Sequence, residues 1–226
     1  MITAAAGLKQ ETILGEGLVM NIDVNDRACY KGNGSDIRDL TNSLDGELVN
    51  GTTFNTAGYM DFDGTNDYLN TGFEPTNANS QGGYAFCYWF NWDSISGNKS
   101  QGFISGARVY AGPYEGNLLG GCGDKYNLNC GSLSADVWTY IVNTYDGDGT
   151  CYFYINGSQT ATITSVTFSI TGGHGNLVLG ETNHTGNITG TYANNGQGGI
   201  AHYYNRHLSA AEVLHNFNAQ RHRFGV

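Results

Sequence analysis

Residues 137–166, VWTYIVNTYDGDGTCYFYINGSQTATITSV, decide the fold class. Val137 to Tyr145 is an apolar and aromatic run, and Asp146-Gly147-Asp148-Gly149 closes it as a turn. Thr150 to Ile155 is a second such run. Asn156-Gly157 then makes a two-residue hairpin turn, because both residues tolerate positive φ. Gln159 to Val166 returns. Three runs of strand length separated by turn residues read as an antiparallel meander.

The same grammar extends outward in both directions. Gly17 to Val24 reads as the first strand, and a polar loop runs from Asn25 to Ser43. Tyr59 to Phe62 and Tyr68 to Asn70 are short strands on either side of the turn Asp63-Gly64-Thr65-Asn66. Tyr84 to Trp92 is large and apolar at nearly every position. That suits a strand buried on both faces, or one buried on one face with aromatics lining a concave surface on the other. Residues 97–135 are rich in Gly, Asn and Tyr, and read as short strands (Phe103-Ile104, Arg108-Val109-Tyr110) joined by long loops. Asn176 to Gly180 and Gly199 to Tyr204 are the last strands.

One helix closes the chain. Ser209-Ala210-Ala211-Glu212 is a capping box, and Ala210, Val213, Leu214 and Phe217 follow at helical spacing on a face that should dock on the sheet. Residues 1–16 fall outside the pattern and read as an N-terminal arm, with 17–226 a single domain. The expectation is all-β: a two-sheet antiparallel jelly-roll β-sandwich with one short C-terminal helix.

Composition excludes the competitors. The chain has 226 residues with 34 Gly, 2 Pro and only 13% charged residues, so it lacks the material for a helical bundle or a collagen repeat. Its net charge is −10, and its one basic cluster, Arg221-His222-Arg223, follows the helix, where it suits the dipole. Nucleic-acid partners and anionic membranes are therefore not expected. No apolar stretch is long enough to span a bilayer, and Met1 to Gly17 lacks the layout of a signal peptide. The expectation is a chain made in a cytoplasm and kept there or packaged from it. Of the five cysteines, Cys87 and Cys151 read as small core residues, whereas Cys122 and Cys130 flank a Gly-rich loop and could meet as a disulfide or a zinc half-site. The odd number argues against a disulfide framework.

Taken together, several stretches resemble one family. Gly17-Leu18-Val19-Met20-Asn21-Ile22-Asp23, Phe62-Asp63-Gly64-Thr65-Asn66-Asp67-Tyr68, Trp89, Trp138 with Thr144-Tyr145-Asp146-Gly147, Tyr154-Ile155-Asn156-Gly157, and Ile200 through Tyr204-Asn205-Arg206-His207-Leu208-Ser209 to Val213 occur in its order. The family is the concanavalin A-like, laminin-G-type lectin/glucanase superfamily, in the form common in bacterial surface and tailed-phage structural proteins. The resemblance implies the sandwich and leaves the ligand open.

Glycoside hydrolases of that superfamily carry Glu-x-Asp-x-x-Glu on one strand, because one carboxyl must protonate the leaving oxygen while the other attacks or activates water. None of the seven glutamates fits, so no catalytic residue is expected. Asp61, Asp63, Asn66 and Asp67 have the oxygen donors of a calcium loop but lack the bidentate glutamate of an EF-hand. Laminin-G relatives sometimes hold Ca²⁺ at the sandwich rim, so calcium is the one cofactor left open. Asp61-x-Asp63 reads first as a hydrogen-bonded turn that fixes Gly64. Tyr110, Tyr114 and Tyr126, with Asp124 and Asn127, have the composition of a carbohydrate site, in which aromatic faces stack on C–H groups and polar side chains fix hydroxyls.

The resulting expectation is a non-catalytic virion structural or adhesion module: a phage capsid decoration, head-fibre or tail-fibre protein. Its partners would be other virion proteins or its own copies in a homo-oligomer, with weak binding to cell-surface glycans. The alternatives are a free, Ca²⁺-dependent carbohydrate-binding lectin, and then a glycoside hydrolase.

Overall fold

Tyr84–Trp92 is the strand around which the molecule is built, and it is buried on both faces. Tyr84, Phe86, Tyr88, Phe90 and Trp92 enter the core between two sheets, while Ala85, Cys87 and Trp89 enter a second core on the other side. This is the period-2 alternation of a strand with apolar residues at both phases. The computed structural model describes residues 12–41, 44–75, 82–97, 101–105, 107–168, 175–184 and 188–226.

In chain order the strands are β1 (Leu18–Asp23), β2 (Asp36–Arg38), β3 (Asp45–Val49), β4 (Thr53–Phe54), β5 (Met60–Asp63) and β6 (Tyr68–Asn70). There follow β7 (Tyr84–Trp92), β8 (Gln101–Ser105), β9 (Ala107–Tyr114), β10 (Asn117–Gly123), β11 (Lys125–Ser132) and β12 (Thr139–Tyr145). Last come β13 (Cys151–Ile155), β14 (Ser158–Ile163), β15 (Val178–Leu179), β16 (Thr182–His184) and β17 (Asn195–Tyr204), then helix α1 (Ala210–Gln220). The first sheet runs β14-β13-β12-β7-β17-β5-β4, with β1 also on β17, and the second runs β11-β10-β9-β8-β15-β6-β3-β2. Described strand pairs are antiparallel except β16 beside β8. The architecture is the expected two-sheet sandwich with a short C-terminal helix.

Several local readings hold. The Asn156-Gly157 turn has φ of 49° and 79° and joins β13 to β14. Ser209 and Glu212 form the capping box reciprocally. Other readings are corrected. The turn after Asp63 does not close a hairpin: β5 lies in the first sheet and β6 in the second, so the chain changes sheets there. The polar stretch 25–43 contains β2. The region read as long loops holds four strands, β8 to β11, joined in an antiparallel meander. Its glycines hid the alternation, because two of them mark ring contacts rather than breaks. A Cβ on Gly120 would meet the Phe153 ring, and one on Gly121 would meet the Tyr110 ring.

The helix docks on a face rotated from the apolar one. Val213 and Phe217 are buried as read, but Leu214 is 46% exposed and Ala210 faces solvent, while the polar Asn216 and Gln220 are buried. The sheet beneath supplies the reason. Gln220 Oε1 accepts from Trp89 Nε1 at 2.9 Å, and its amide meets His202 Nε2 at 2.9 Å. Asn216 Nδ2 donates to Tyr204 at 3.0 Å. Buried polar atoms of a sheet must be matched by polar atoms of whatever covers them.

Cys122 does not pair with Cys130. It is disulfide-bonded to Cys151 across the sandwich, with Cα atoms 6.5 Å apart, and Cys130 is buried and free. Cys122 lies on the inner side of β10 and Cys151 on the inner side of β13, in opposite sheets. Facing positions of two packed sheets are not legible from spacing in the chain. The same region is clipped by Tyr88 Oη donating to the Ala111 carbonyl at 2.8 Å and Asn143 Nδ2 donating to the Gly121 carbonyl at 2.8 Å.

The arm expected over residues 1–16 falls partly outside the described residues, which begin at 12. Residues 12–16 lie along α1. The Leu14 amide donates to Asn216 Oδ1 at 2.9 Å, its carbonyl accepts from Tyr204 at 3.0 Å, and Arg206 Nε donates to the Glu16 carbonyl at 3.0 Å.

Candidate functional site

The five residues read as a sugar site lie on β9, β10 and β11 and their turns, and the structure gathers four of them. Tyr110 pairs with Gly121 across β9 and β10, and its ring covers that glycine. Beyond it β11 bulges, because the register shifts between Gly120 and Cys122, and Asn127 sits there at φ 54°. Tyr110 Oη donates to Asn127 Oδ1 at 3.2 Å and accepts from the Asn127 amide at 3.0 Å. Tyr110 is therefore a buried pin that fixes the bulge. Tyr126, its neighbour in the bulge, is 54% exposed.

Asp124 closes the adjacent turn and clamps a crossing segment. Its amide donates to the Thr167 carbonyl at 2.8 Å and its Oδ1 accepts from the Thr167 amide at 2.8 Å. The Thr167 amide, with Lys125 beside it, holds the carboxyl below its ordinary range. Tyr114 stands apart. It is 43% exposed and four residues from Tyr110 along β9, about 13 Å at the rise of a strand.

The candidate calcium residues occupy the sheet-changing turn. Asp61 Oδ1 accepts from Asn55 Nδ2 at 2.9 Å and from Gln197 Nε2 at 3.0 Å. Asp63 Oδ1 accepts from the Thr65 amide at 2.7 Å, closing the turn that holds Gly64 at φ 76°. Asp67 is buried and accepts from the amides of Gly51 at 2.8 Å and Asp63 at 3.3 Å; burial pushes its carboxyl up. Asn66 contributes its carbonyl to Asn50 Nδ2 at 2.6 Å. Each carboxylate thus has protein donors, and among the described residues no three His, Cys, Asp or Glu side chains converge.

The outer side of the first sheet is divided. One end lies under α1 and the C-terminus, where Trp89 stacks on Phe224 at 4.0 Å between ring centres. A polar chain runs beneath it from Trp89 through Gln220 and His202 to Asn21, with His202 Nδ1 at 3.1 Å from Asn21 Oδ1. Gln220 has only N–H to offer Nε2, which fixes a neutral imidazole protonated at Nδ1. Burial holds the His202 pKa down to about 4. Arg223 closes this end with Nη1 at 2.5 Å and Nη2 at 2.9 Å from the Asp23 carboxylate, so part of the basic cluster serves the fold. The other end is uncovered by the helix and carries Trp138, Asn91 and Gln197, of which the last two carried no signal in sequence.

This architecture, two packed antiparallel sheets with a capped helix on one of them, defines a lectin-type sandwich. A family model described as the concanavalin A-like lectin/glucanases superfamily matches residues 63–214, and the chain belongs to that superfamily. Its sequence matches no curated protein. Among solved structures it is similar to Trypanosoma rangeli sialidase in complex with 2,3-difluoro-KDN, with TM-score 0.66, 15% identity, and coverage of 96% of this chain and 37% of the other. It is also similar to the binding domain of Paraclostridial Mosquitocidal Protein 1, with TM-score 0.65, 15% identity, and coverage of 90% and 52%. A W1252A mutant of HCR D/C VPI 5995 aligns with TM-score 0.60, 12% identity, and coverage of 90% and 52%. The chain thus spans about a third of the sialidase and about half of each of the other two chains. These likenesses establish the fold.

Proposed function

We propose that the chain is a non-catalytic adhesion module that binds glycans through the outer side of the β9–β11 meander, carried on a larger particle such as a virion. The observation that carries this reading is the bulge at Tyr126 and Asn127. An exposed ring stands next to an amide whose backbone and Oδ1 are fixed by the buried Tyr110. Rigid aromatic area beside a positioned amide is the composition of a binding surface that loses little entropy on contact. The superfamily supports the class of ligand, as does the likeness to a sialidase in complex with 2,3-difluoro-KDN and to the binding domain of Paraclostridial Mosquitocidal Protein 1. The absence of Glu-x-Asp-x-x-Glu from the sequence supports the non-catalytic part.

A glycan array probed with the full chain tests it. Binding that falls about tenfold or more in Tyr126→Ala, with an unchanged melting temperature, is the expected result. Binding that is insensitive to Tyr126→Ala and to Tyr114→Ala would remove this surface, and turnover of any bound polysaccharide would remove the non-catalytic reading. Mass spectrometry of intact particles from the source tests the carrier, which is abandoned if the chain is missing from them.

A further inference from the structure

Asparagine followed by glycine occurs four times in the chain, at Asn33-Gly34, Asn50-Gly51, Asn156-Gly157 and Asn195-Gly196, and the fold treats the four differently. The pair is reactive because glycine has no side chain to shield its own amide nitrogen, which can then reach the asparagine side-chain carbonyl carbon. Three of the pairs are held. The Gly51 amide donates to Asp67 Oδ1 at 2.8 Å while Asn50 Nδ2 donates to the Asn66 carbonyl at 2.6 Å, so attacking and attacked groups are both tied. Asn156 Oδ1 accepts from the Tyr140 amide at 2.8 Å, and Gly157 is buried against Leu214 and Phe217 of α1. Asn195 and Gly196 belong to β17, where Gly196 pairs with Phe62 on one side and Trp92 on the other.

Asn33-Gly34 has none of these restraints. Both residues are exposed, in the segment that leads into β2. Neither the Asn33 side chain nor the Gly34 amide makes a hydrogen bond among the described residues. Beyond the chain neighbours, no atom lies within 4 Å of the position a Cβ would take on Gly34, which sits at φ 78°. The segment is anchored on either side of the pair. The Lys31 carbonyl accepts from Arg27 Nη1, and the Gly34 carbonyl accepts from Tyr30 Oη at 3.0 Å. Tyr30 is a core residue with its ring centre 5.2 Å from that of Phe54. Neither anchor touches the peptide link between Asn33 and Gly34, which faces water.

We infer that Asn33 is a covalent modification site, where the folded chain deamidates itself selectively with water as the only co-reactant. Solvent base takes the Gly34 N–H proton, and the nitrogen forms a bond to Asn33 Cγ. The side-chain nitrogen takes a proton from solvent and leaves as ammonia, which closes a succinimide ring. Water then opens the ring. Cleavage at Cγ gives aspartate, whereas cleavage at the main-chain carbonyl gives isoaspartate, in which the chain runs through the former side chain. Either product adds a carboxylate to a chain whose net charge is already −10. Isoaspartate also lengthens the main chain by a methylene between the Lys31 and Gly34 carbonyls that Arg27 and Tyr30 hold. At the other three pairs the same reaction waits for local opening, and the opening equilibrium sets its rate.

Peptide mapping of the folded full chain tests this. Trypsin cuts after Lys31 and after Arg38, so residues 32–38 carry Asn33 apart from the other three pairs. The chain is incubated at mildly alkaline pH, sampled over time and digested. Mass spectrometry reads the gain in mass as each amide becomes an acid, and chromatography separates isoaspartate from aspartate. Asn33 should convert at least about tenfold faster than Asn50, Asn156 or Asn195, with isoaspartate among its products. In denaturant with the disulfide reduced the four rates should converge, because only the local sequence then acts. Asn33→Gln should leave residues 32–38 unchanged over the same period. The proposal is overturned by a folded chain in which Asn33 stays intact, or in which any of the other three keeps pace with it. Aspartate without isoaspartate at Asn33 would also overturn it, as would a preference for Asn33 that persists undiminished in denaturant.

Discussion

The two outer faces of the sandwich are built from similar residues and used differently. On the first sheet, Trp89, Tyr140 and Tyr204 lie under α1, and the polar atoms of Trp89 and Tyr204 are taken up by Gln220 and Asn216. On the second, Tyr110 is buried by its own meander, while Tyr114 and Tyr126 stay open to solvent. An aromatic on a strand is therefore core or surface according to what lies over it. The helix closes one face and leaves the other, together with the open end of its own sheet, uncovered.

The sharpest way to break this contrast is to empty the covered face. Trp89→Ala removes a buried indole with stacked neighbours and leaves Gln220 without its donor, and should cost about 4 kcal/mol in chemical denaturation. A loss below about 1 kcal/mol would mean that α1 is not a structural lid. Next comes the clip between the sheets. Cys151→Ala opens a bond joining residues 29 apart in sequence, and loop entropy puts the loss at roughly 3.5 kcal/mol. An unchanged midpoint under reducing conditions would show that the bond carries no stability.

The third expectation concerns pH. His202 is held at about 4 in the folded chain, against an ordinary value of about 6.5 once unfolded. The unfolded state therefore binds the proton first, so the neutral form's stability is complete above about 6.5 and declines as pH falls toward 4. At pH 5 the loss should be roughly 2 kcal/mol, and His202→Gln should flatten the profile over that window. The smallest effect belongs to the open face: Tyr126→Ala should change stability by less than about 0.5 kcal/mol. A larger change would make Tyr126 a fold residue and weaken its assignment to glycan binding.

The legibility of the site followed the same division. Tyr126 and Asn127 could be singled out because aromatic and amide residues among glycines stand out in a sequence. Tyr110 and Asp124 shared that appearance, yet they are a pin and a clamp, since only the register shift in β11 and the crossing at Thr167 give them partners. Asn91 and Gln197 carried no signal at all. One ends an aromatic strand and the other sits in a glycine run, and they meet through the pairing of β7 with β17.

From the sequence by itself came the strands with strong runs, the Asn156-Gly157 turn and the Ser209 cap. Each is set by steric preferences and hydrogen bonds within a few residues, which the order of residues records. Tertiary structure alone decided which sheet each strand joins around Gly64, that Cys122 meets Cys151, and which side of α1 is buried. Those outcomes depend on groups brought together by sheet pairing and sheet packing, and the energy of a polar contact under a helix is not written in the periodicity of either partner.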